Sequence, residues 1–460
     1  MRTLRFLTLV MCLVASPFGP VGASDSPRTE PRTLILALDG VPLRSVEAAV
    51  DQGAFKNWST PIGMVSTFPS MTNIAFTAIL QPFCVHPIAG YETLYFNRSE
   101  NALVGGTSRA YLEEFFPWRS SFHVAKKSFA NKVGVYTRPM HTARKMVDRV
   151  EELVLGGTED PLMAHLASTD LVTHVRGDAP IIEFLLELDE RLRQMEKKHL
   201  EKWGRPLRIV MLSDHGNTDE KVTIISDMRD TFRQAGFRFH KKLETPDDIV
   251  GPTYGAVSYG ALYLDATRAD KAGRVAVGNK AIDLAAWLRQ PGEMRVVSAS
   301  GEAVVRWRDL PDSRQFSYDS VSGDPLKLGK ARQDLVGAKS LGSDGFANAA
   351  EWLSATVAGY YPDPLRRLVD ALSGAWVENP ATVILSLHPD HAWGSNKART
   401  GAFLLGGRLE GTHGALERES TLGFLMANEP LPKGLEGIEA RRALTPWFDQ
   451  GDCVTMTRVE

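Results

Sequence analysis

The sequence predicts an α/β chain built on a doubly wound, mostly parallel sheet flanked by helices, with an α+β subdomain inserted into it. Three observations predict this. Short continuous apolar runs alternate with amphipathic stretches, the pattern of parallel strands buried on both faces and joined by helices. Three of those runs end at an aspartate: Thr33–Leu38 before Asp39, Leu162–Ala167 before Asp170, and Arg208–Leu212 before Asp214. From about Val222 to Pro380 the chain changes character and carries many charges, Gly and Pro but few metal-ligating residues.

At 460 residues, 43% of them hydrophobic and 23% charged, the chain can bury a large core. A formal net charge of −2 leaves no electrostatic footprint for nucleic acid or an anionic membrane. The expected partner is therefore a small molecule, and the oligomeric state is not written in the composition. Residues Met1–Ala23 read as a secretory signal, with Arg2 and Arg5, an apolar run from Phe6 to Ala15, and Val21-Gly22-Ala23 as the cleavage site. A soluble, secreted or periplasmic mature protein is the expectation, because no later stretch approaches the roughly 18–20 apolar residues that span a bilayer. Once the signal is removed, Cys84 and Cys453 remain, able either to pair in an oxidising compartment or to stay as buried thiols.

Taken in order, Thr33–Leu38 is a buried strand whose carboxyl end carries Asp39-Gly40, a turn by itself but also the place where open α/β sheets bind ligands. A helix over Leu43–Val50 follows. Ser66-Thr67-Phe68-Pro69 then precedes the apolar run Met71–Leu80. A Pro in the first turn of a helix would set Thr67 at or near the N-cap, where backbone N–H groups receive an anion. Lys132–Tyr136 reads as a strand and Ala143–Leu153 as a helix, with Arg138 between them as a phosphate contact or an ordinary exposed Arg. Beyond Leu162–Ala167, in which His165 reads as a core histidine, come Asp170 and His174. Ile181–Lys202 is a helix with a solvated charged face. The strand Arg208–Leu212 ends in Ser213-Asp214-His215-Gly216.

In the inserted region, Ala256–Leu264 and Met294–Trp307 read as strands, the second with a turn at Ser300-Gly301. Ala266–Arg289, Phe346–Val357 and Leu365–Leu372 read as helices. Ala381–Leu387 is expected to resume the core, followed by His388 and His391 as spare ligands, then Gly411-Thr412-His413-Gly414 and the run Leu422–Ala427.

Asp39, Asp170, His174, Asp214, His215 and His413 form a set of six oxygen and nitrogen ligands without thiolates. Imidazole with carboxylate suits Zn²⁺, with Mn²⁺ or Fe as alternatives, and three ligands apiece suit two ions. A coordinated Thr67 hydroxyl would lose its proton near neutral pH and act as a nucleophile in a displacement at phosphorus.

Asp39-Gly40, Ser66-Thr67-Phe68-Pro69, Asp170 to His174, Ser213 to Gly216 and Gly411 to Gly414 stand in the order seen in the alkaline phosphatase superfamily. The set most resembles its type I phosphodiesterase/nucleotide pyrophosphatase branch, over about Thr33 to His215 and Ala381 to the C-terminus. The resemblance implies an alkaline-phosphatase-like fold and two Zn²⁺, one on Asp170, His174 and His413, the other on Asp39, Asp214 and His215. It also implies Thr67 as nucleophile, facing the second ion and passing through a phospho-threonine intermediate. The expected layout is a signal over 1–23, a catalytic core over 24–221 and 381–460, and a substrate-access subdomain over 222–380.

The sequence departs from the branch pattern in three places. Ser70-Met71 follow Pro69 where many members have Asn-His. The Asn that donates to a phosphoryl oxygen further along is absent around His86–Tyr91, so that Asn73 or Asn97 would have to substitute. The gap between His215 and His413 is long. Ser66 is the runner-up nucleophile, and a sulfatase is disfavoured because no Cys or Ser begins its x-Pro-x-Arg pattern. The expected function is a secreted di-zinc phosphohydrolase of phosphodiester or pyrophosphate bonds in nucleotide-like substrates. The alternatives are a phosphomonoesterase with the same metals and nucleophile, and a non-catalytic, metal-dependent phosphate- or nucleotide-binding protein.

Overall fold

The computed structural model describes residues 30–107, 116–124, 137–311, 313–395, 409–431 and 437–448. The expected signal, the expected strand Lys132–Tyr136 and Cys453 lie outside them. In chain order the first half runs β1 (Arg32–Leu38), α1 (Leu43–Asp51), β2 (Ile62–Val65), α2 (Thr72–Ile79), α3 (Pro139–Gly156), β3 (Leu162–Leu166), α4 (Ser168–Arg176), α5 (Ala179–Trp203) and β4 (Leu207–Leu212). The second half adds β5 (Tyr259–Leu262), α6 (Ala269–Ala276), β6 (Ile282–Gln290), β7 (Glu293–Ser298), β8 (Gly301–Leu310), β9 (Ser313–Gly323) and β10 (Phe346–Asn348). It continues with α7 (Ala349–Thr356), α8 (Pro364–Ser373), β11 (Val383–Leu387), β12 (Leu422–Ala427) and β13 (Gly437–Glu439).

The central sheet has the order β13–β2–β12–β4–β1–β3. Its neighbours β3, β1 and β4 are parallel, as are β2 and β13, and β12 alone runs antiparallel to both its partners. The fold is therefore α/β with a mostly parallel sheet, as the apolar runs predict. Every residue of β1 is buried. Its alternate residues serve two layers: Leu34, Leu36 and Leu38 pack with Val147 and Val150 of α3 and Leu185 and Leu188 of α5. Ile35 and Ala37 face the other way, into a cluster with Ile74 and Phe76 of α2 and Leu284 and Ile384 of the second sheet. Burial of each such side chain contributes about 1.5–3 kcal/mol, so these strands are rigid supports for whatever stands at their ends.

The second sheet is antiparallel throughout, in the order β5–β11–β6–β7–β8–β9–β10. Here the sequence expectations need correction. Ala381–Leu387, expected to resume the core, supplies a strand over Val383–Leu387 that pairs with β5 and β6 of the second sheet, and Leu422–Ala427 is the later run that joins the central sheet. Ala266–Arg289 is not one helix but a helix followed by strand β6. Leu284 and Ala286 face one cluster while Ile282, Ala285 and Trp287 face another, so burial on both faces overrides the helical preference of Leu and Ala. Phe346–Asn348 is likewise a strand, and α7 begins only after the capping box of Asn348 and Glu351. The two strands around Ser300-Gly301 match expectation.

Candidate metal centre

The carboxyl ends of β1, β3 and β4 lie side by side, because these strands are parallel neighbours in register. Asp39 follows β1 and Asp214 and His215 follow β4. Asp170 and His174 stand four residues apart on α4, one turn and thus on one face. The antiparallel β12 brings the segment before it to the same edge, and with it His413.

These residues converge. Ligand atoms of Asp170, His174 and His413 all lie within 4.8 Å of one another, and so do those of Asp39, Asp170 and His215. His174 Nε2 is 3.4 Å and His413 Nε2 3.8 Å from Asp170 Oδ1. His215 Nε2 is 3.6 Å from Asp39 Oδ1 and 3.4 Å from Asp214 Oδ2. The ring of His215 stacks on that of His413 at 4.0 Å. Gly40, at φ +63°, lets the backbone pass this close: a Cβ there would collide with Asp170 Oδ1.

Each imidazole is oriented from behind. His174 Nδ1 donates to the Gly411 carbonyl (2.8 Å), His215 Nδ1 to the Gly216 carbonyl (2.8 Å) and His413 Nδ1 to the Ser70 carbonyl (2.7 Å). A carbonyl accepts only, so the proton sits on Nδ1 and the Nε2 lone pair faces the centre. Lone pairs of His174 and His413 therefore face the Asp170 Oδ1 oxygen, a buried acceptor with no hydrogen-bond partner among the described residues. Asp214 Oδ2 is orphaned in the same way, although Asp214 Oδ1 accepts from the Gly40 N–H (3.2 Å). Acceptors arrayed against acceptors without hydrogen bonds fit a cation between them.

The carboxylates concentrate negative charge here: against the cost of burial, Asp214, Asp170 and Asp39 hold the His215 imidazole above its ordinary value. Burial pushes the Asp214 carboxyl up to about 8 against the pull of His215, with Asp39 adding to the push. Burial and the neighbouring His215 push the His413 imidazole well below its ordinary value, so it stands neutral, the form that ligates metals.

The threonines differ from expectation. Thr67 is not at a helix N-cap: α2 begins at Thr72 with Met71 as its N-cap, and Thr67 Oγ1 donates to the Pro69 carbonyl at 3.0 Å. The hydroxyl that reaches the ligand set belongs to Thr72, the first residue of α2. Its Oγ1 is 3.2 Å from Asp39 Oδ1 and 3.3 Å from His215 Nε2. Sequence reasoning missed it, although Thr72-Asn73 directly precedes the apolar run from Ile74. Ser66 is buried beside Arg366 and Arg367, with its hydroxyl unpartnered among the described residues.

Among the remaining candidates, Asn97 is consumed by its own turn, accepting from Ser99 Oγ and the Glu100 N–H. Asn73 sits next to Thr72, and its Oδ1 accepts from Trp118 Nε1 (3.3 Å). Arg138 is exposed at the start of α3. His388 stands 3.9 Å from Asp283 and His391 2.6 Å from Asp390, both outside the ligand groups. Cys84 is disulfide-bonded.

No protein-family model matches the sequence, and no curated protein matches it. Among solved structures the chain is similar to human ectonucleotide pyrophosphatase/phosphodiesterase 5, with 11% identity over 90% of this chain and 92% of that one and a TM-score of 0.43. It is also similar to an inactive form of the murine protein in complex with AMP, with 11% identity over 94% and 96% of the two chains and a TM-score of 0.43. Phosphonoacetate hydrolase from Sinorhizobium meliloti in complex with phosphonoformate gives 14% identity over 90% and 94% and a TM-score of 0.47.

Proposed function

We propose that this protein is a metal-dependent hydrolase of phosphoric esters that cleaves phosphodiester or pyrophosphate bonds in small, nucleotide-like substrates, with Thr72 as its nucleophile. The observation that carries the reading is the inward array of Nε2 lone pairs and orphaned carboxylate oxygens beside the Thr72 hydroxyl. Asp170, His174 and His413 would hold one divalent ion, and Asp39, Asp214 and His215 a second. Zinc is the first choice for carboxylate with imidazole. Such ions, when bound, supply charge neutralisation at the phosphoryl oxygens and ease loss of the nucleophile's proton.

The chain's own residues account for the rest. As the first residue of α2, Thr72 presents its Oγ1 at the helix N-terminus, the positive end of the helix dipole, which favours phosphoryl oxygens. With its oxygen taken up by Trp118, Asn73 keeps its amide nitrogen for donation to the same group. Thr72 Oγ1 bonds to phosphorus as the bond to the leaving oxygen breaks. Water then displaces Thr72 from the phosphorus and restores its hydroxyl. A secreted or periplasmic location, expected from Met1–Ala23, is supported by the disulfide at Cys84, since such bonds persist in oxidising compartments.

The test is metal analysis of the purified chain with parallel hydrolysis of bis-nitrophenyl phosphate and nitrophenyl phosphate. Two zinc ions per chain and faster turnover of the diester are expected. A large monoester preference would replace the diesterase with a phosphomonoesterase, and metal without turnover of either ester would point to a binding protein. Failure to bind metal under zinc-replete conditions would end the reading.

A further inference from the structure

His165 lies on β3 in a closed aromatic cage, 3% exposed. Its ring centroid is 4.7 Å from that of Phe76, 5.3 Å from Trp118 and 5.4 Å from Phe122. An imidazole needs a polar partner in such surroundings, because an unpaired buried N–H is costly. That partner is Asp39: His165 Nε2 lies 3.1 Å from Asp39 Oδ2. A carboxylate oxygen accepts, so the proton is on Nε2, and His165 has no lone pair at that atom for a metal.

The two oxygens of Asp39 are thereby divided between tasks. Oδ2 is held by His165, while Oδ1 faces Thr72 Oγ1 at 3.2 Å and His215 Nε2 at 3.6 Å. The three histidines of the ligand set have anchors of their own: His174 on Gly411, His413 on Ser70 and His215 on Gly216. Asp39 is also 5% exposed, so water cannot replace a lost donor cheaply.

We infer that His165 is a positioning residue for the second ion site: its hydrogen bond fixes the Asp39 carboxylate so that Oδ1, and only Oδ1, is offered to the ion beside Thr72. The inference rests on the two-ion reading above. It predicts an asymmetric defect, confined to the Asp39–Asp214–His215 site.

The experiment is competition of Zn²⁺ against a chelator, and the visible absorption of the Co²⁺-loaded chain, for wild type, His165→Leu and His165→Gln. Loss of a partner behind a metal ligand costs about 10–100-fold in affinity, so the Leu variant should keep one ion as tightly as wild type and bind the other that much more weakly. It should also lose one component of the Co²⁺ spectrum. The Gln variant, whose amide nitrogen reaches the place of Nε2, should recover most of the affinity. If the Leu variant does not fold, His165→Asn takes its place with the same expectation, because its amide is too short to reach Asp39. Wild-type affinity at both sites, or equal weakening of both, would overturn the inference while leaving the two-ion reading intact. A wild-type chain that binds no metal would overturn both.

Discussion

Replacing Thr72 and Thr67 separately by Ala decides which hydroxyl attacks. Thr72→Ala removes the only hydroxyl among the described residues that touches both Asp39 Oδ1 and His215 Nε2, and leaves the carboxylates and imidazoles in place. With no nucleophile at the centre, kcat/KM on bis-nitrophenyl phosphate should fall about a thousandfold or more, which is ~4 kcal/mol of transition-state stabilisation at 1.36 kcal/mol per decade. Metal content should stay at the wild-type level. Thr67→Ala removes one buried hydrogen bond, from Oγ1 to the Pro69 carbonyl, while the Thr67 carbonyl still accepts from Arg367 and Ser70. Its cost is about 0.5–1.5 kcal/mol of stability, read as a lower urea midpoint, with activity within about tenfold of wild type. Thr72→Ser, which keeps an Oγ, should retain far more turnover than Thr72→Ala. Abolished activity in Thr67→Ala together with near-normal activity in Thr72→Ala would refute the assignment and restore Thr67.

Gly40→Ala should lower both thermal stability and metal content, because a methyl group at φ +63° runs into Asp170 Oδ1, and at ~1 kcal/mol or more the strain is relieved by moving that ligand. Arg367→Met should destabilise the chain by about 3–5 kcal/mol in urea titration, since the buried guanidinium bonds the Thr67, Pro362 and Leu416 carbonyls and Ser70 Oγ, and removal leaves them unpaired beside Asp363 and Glu417. Activity should fall with it, because the Ser70 carbonyl anchors His413. Burial pushes the Glu417 carboxyl up to about 7, against the N–H groups of Ser420 and Glu419 that it accepts. The folded chain thus holds that proton more tightly than the unfolded one. Its contribution is full below the ordinary carboxylate value and is lost as the pH rises through about 7, some ~3 kcal/mol in all at 1.36 kcal/mol per pH unit. Stability measured from about pH 5 to about pH 8 should therefore decline in wild type and decline less in Glu417→Gln.

The convergence of the proposed ligand set was legible because its cause is local. A strand buried on both faces must be apolar, and the first charged residue after it marks where the strand leaves the sheet; Asp39, Asp170 and Asp214 each stand at or just past such an end. His174 follows from helical spacing, and His413 from a Gly-flanked loop with no other task. The threonine hydroxyl that reaches the centre was not legible in the same way. A Pro after two hydroxyl residues signals a helix start, but Thr67 and Ser70 close a turn of their own through the Pro69 and Thr67 carbonyls, and the helix begins past it. That turn is held by Arg367, a residue far along the chain on α8, and no local pattern reports such a contact. The same holds for β11, which has the composition of a central strand and takes its place by pairing with β5 and β6. His165 shows the limit most clearly. Its apolar neighbours in sequence made it a core histidine, and it is one; its function lies in the single polar atom that the core leaves it to bond, Asp39 Oδ2, which strand register alone brings alongside.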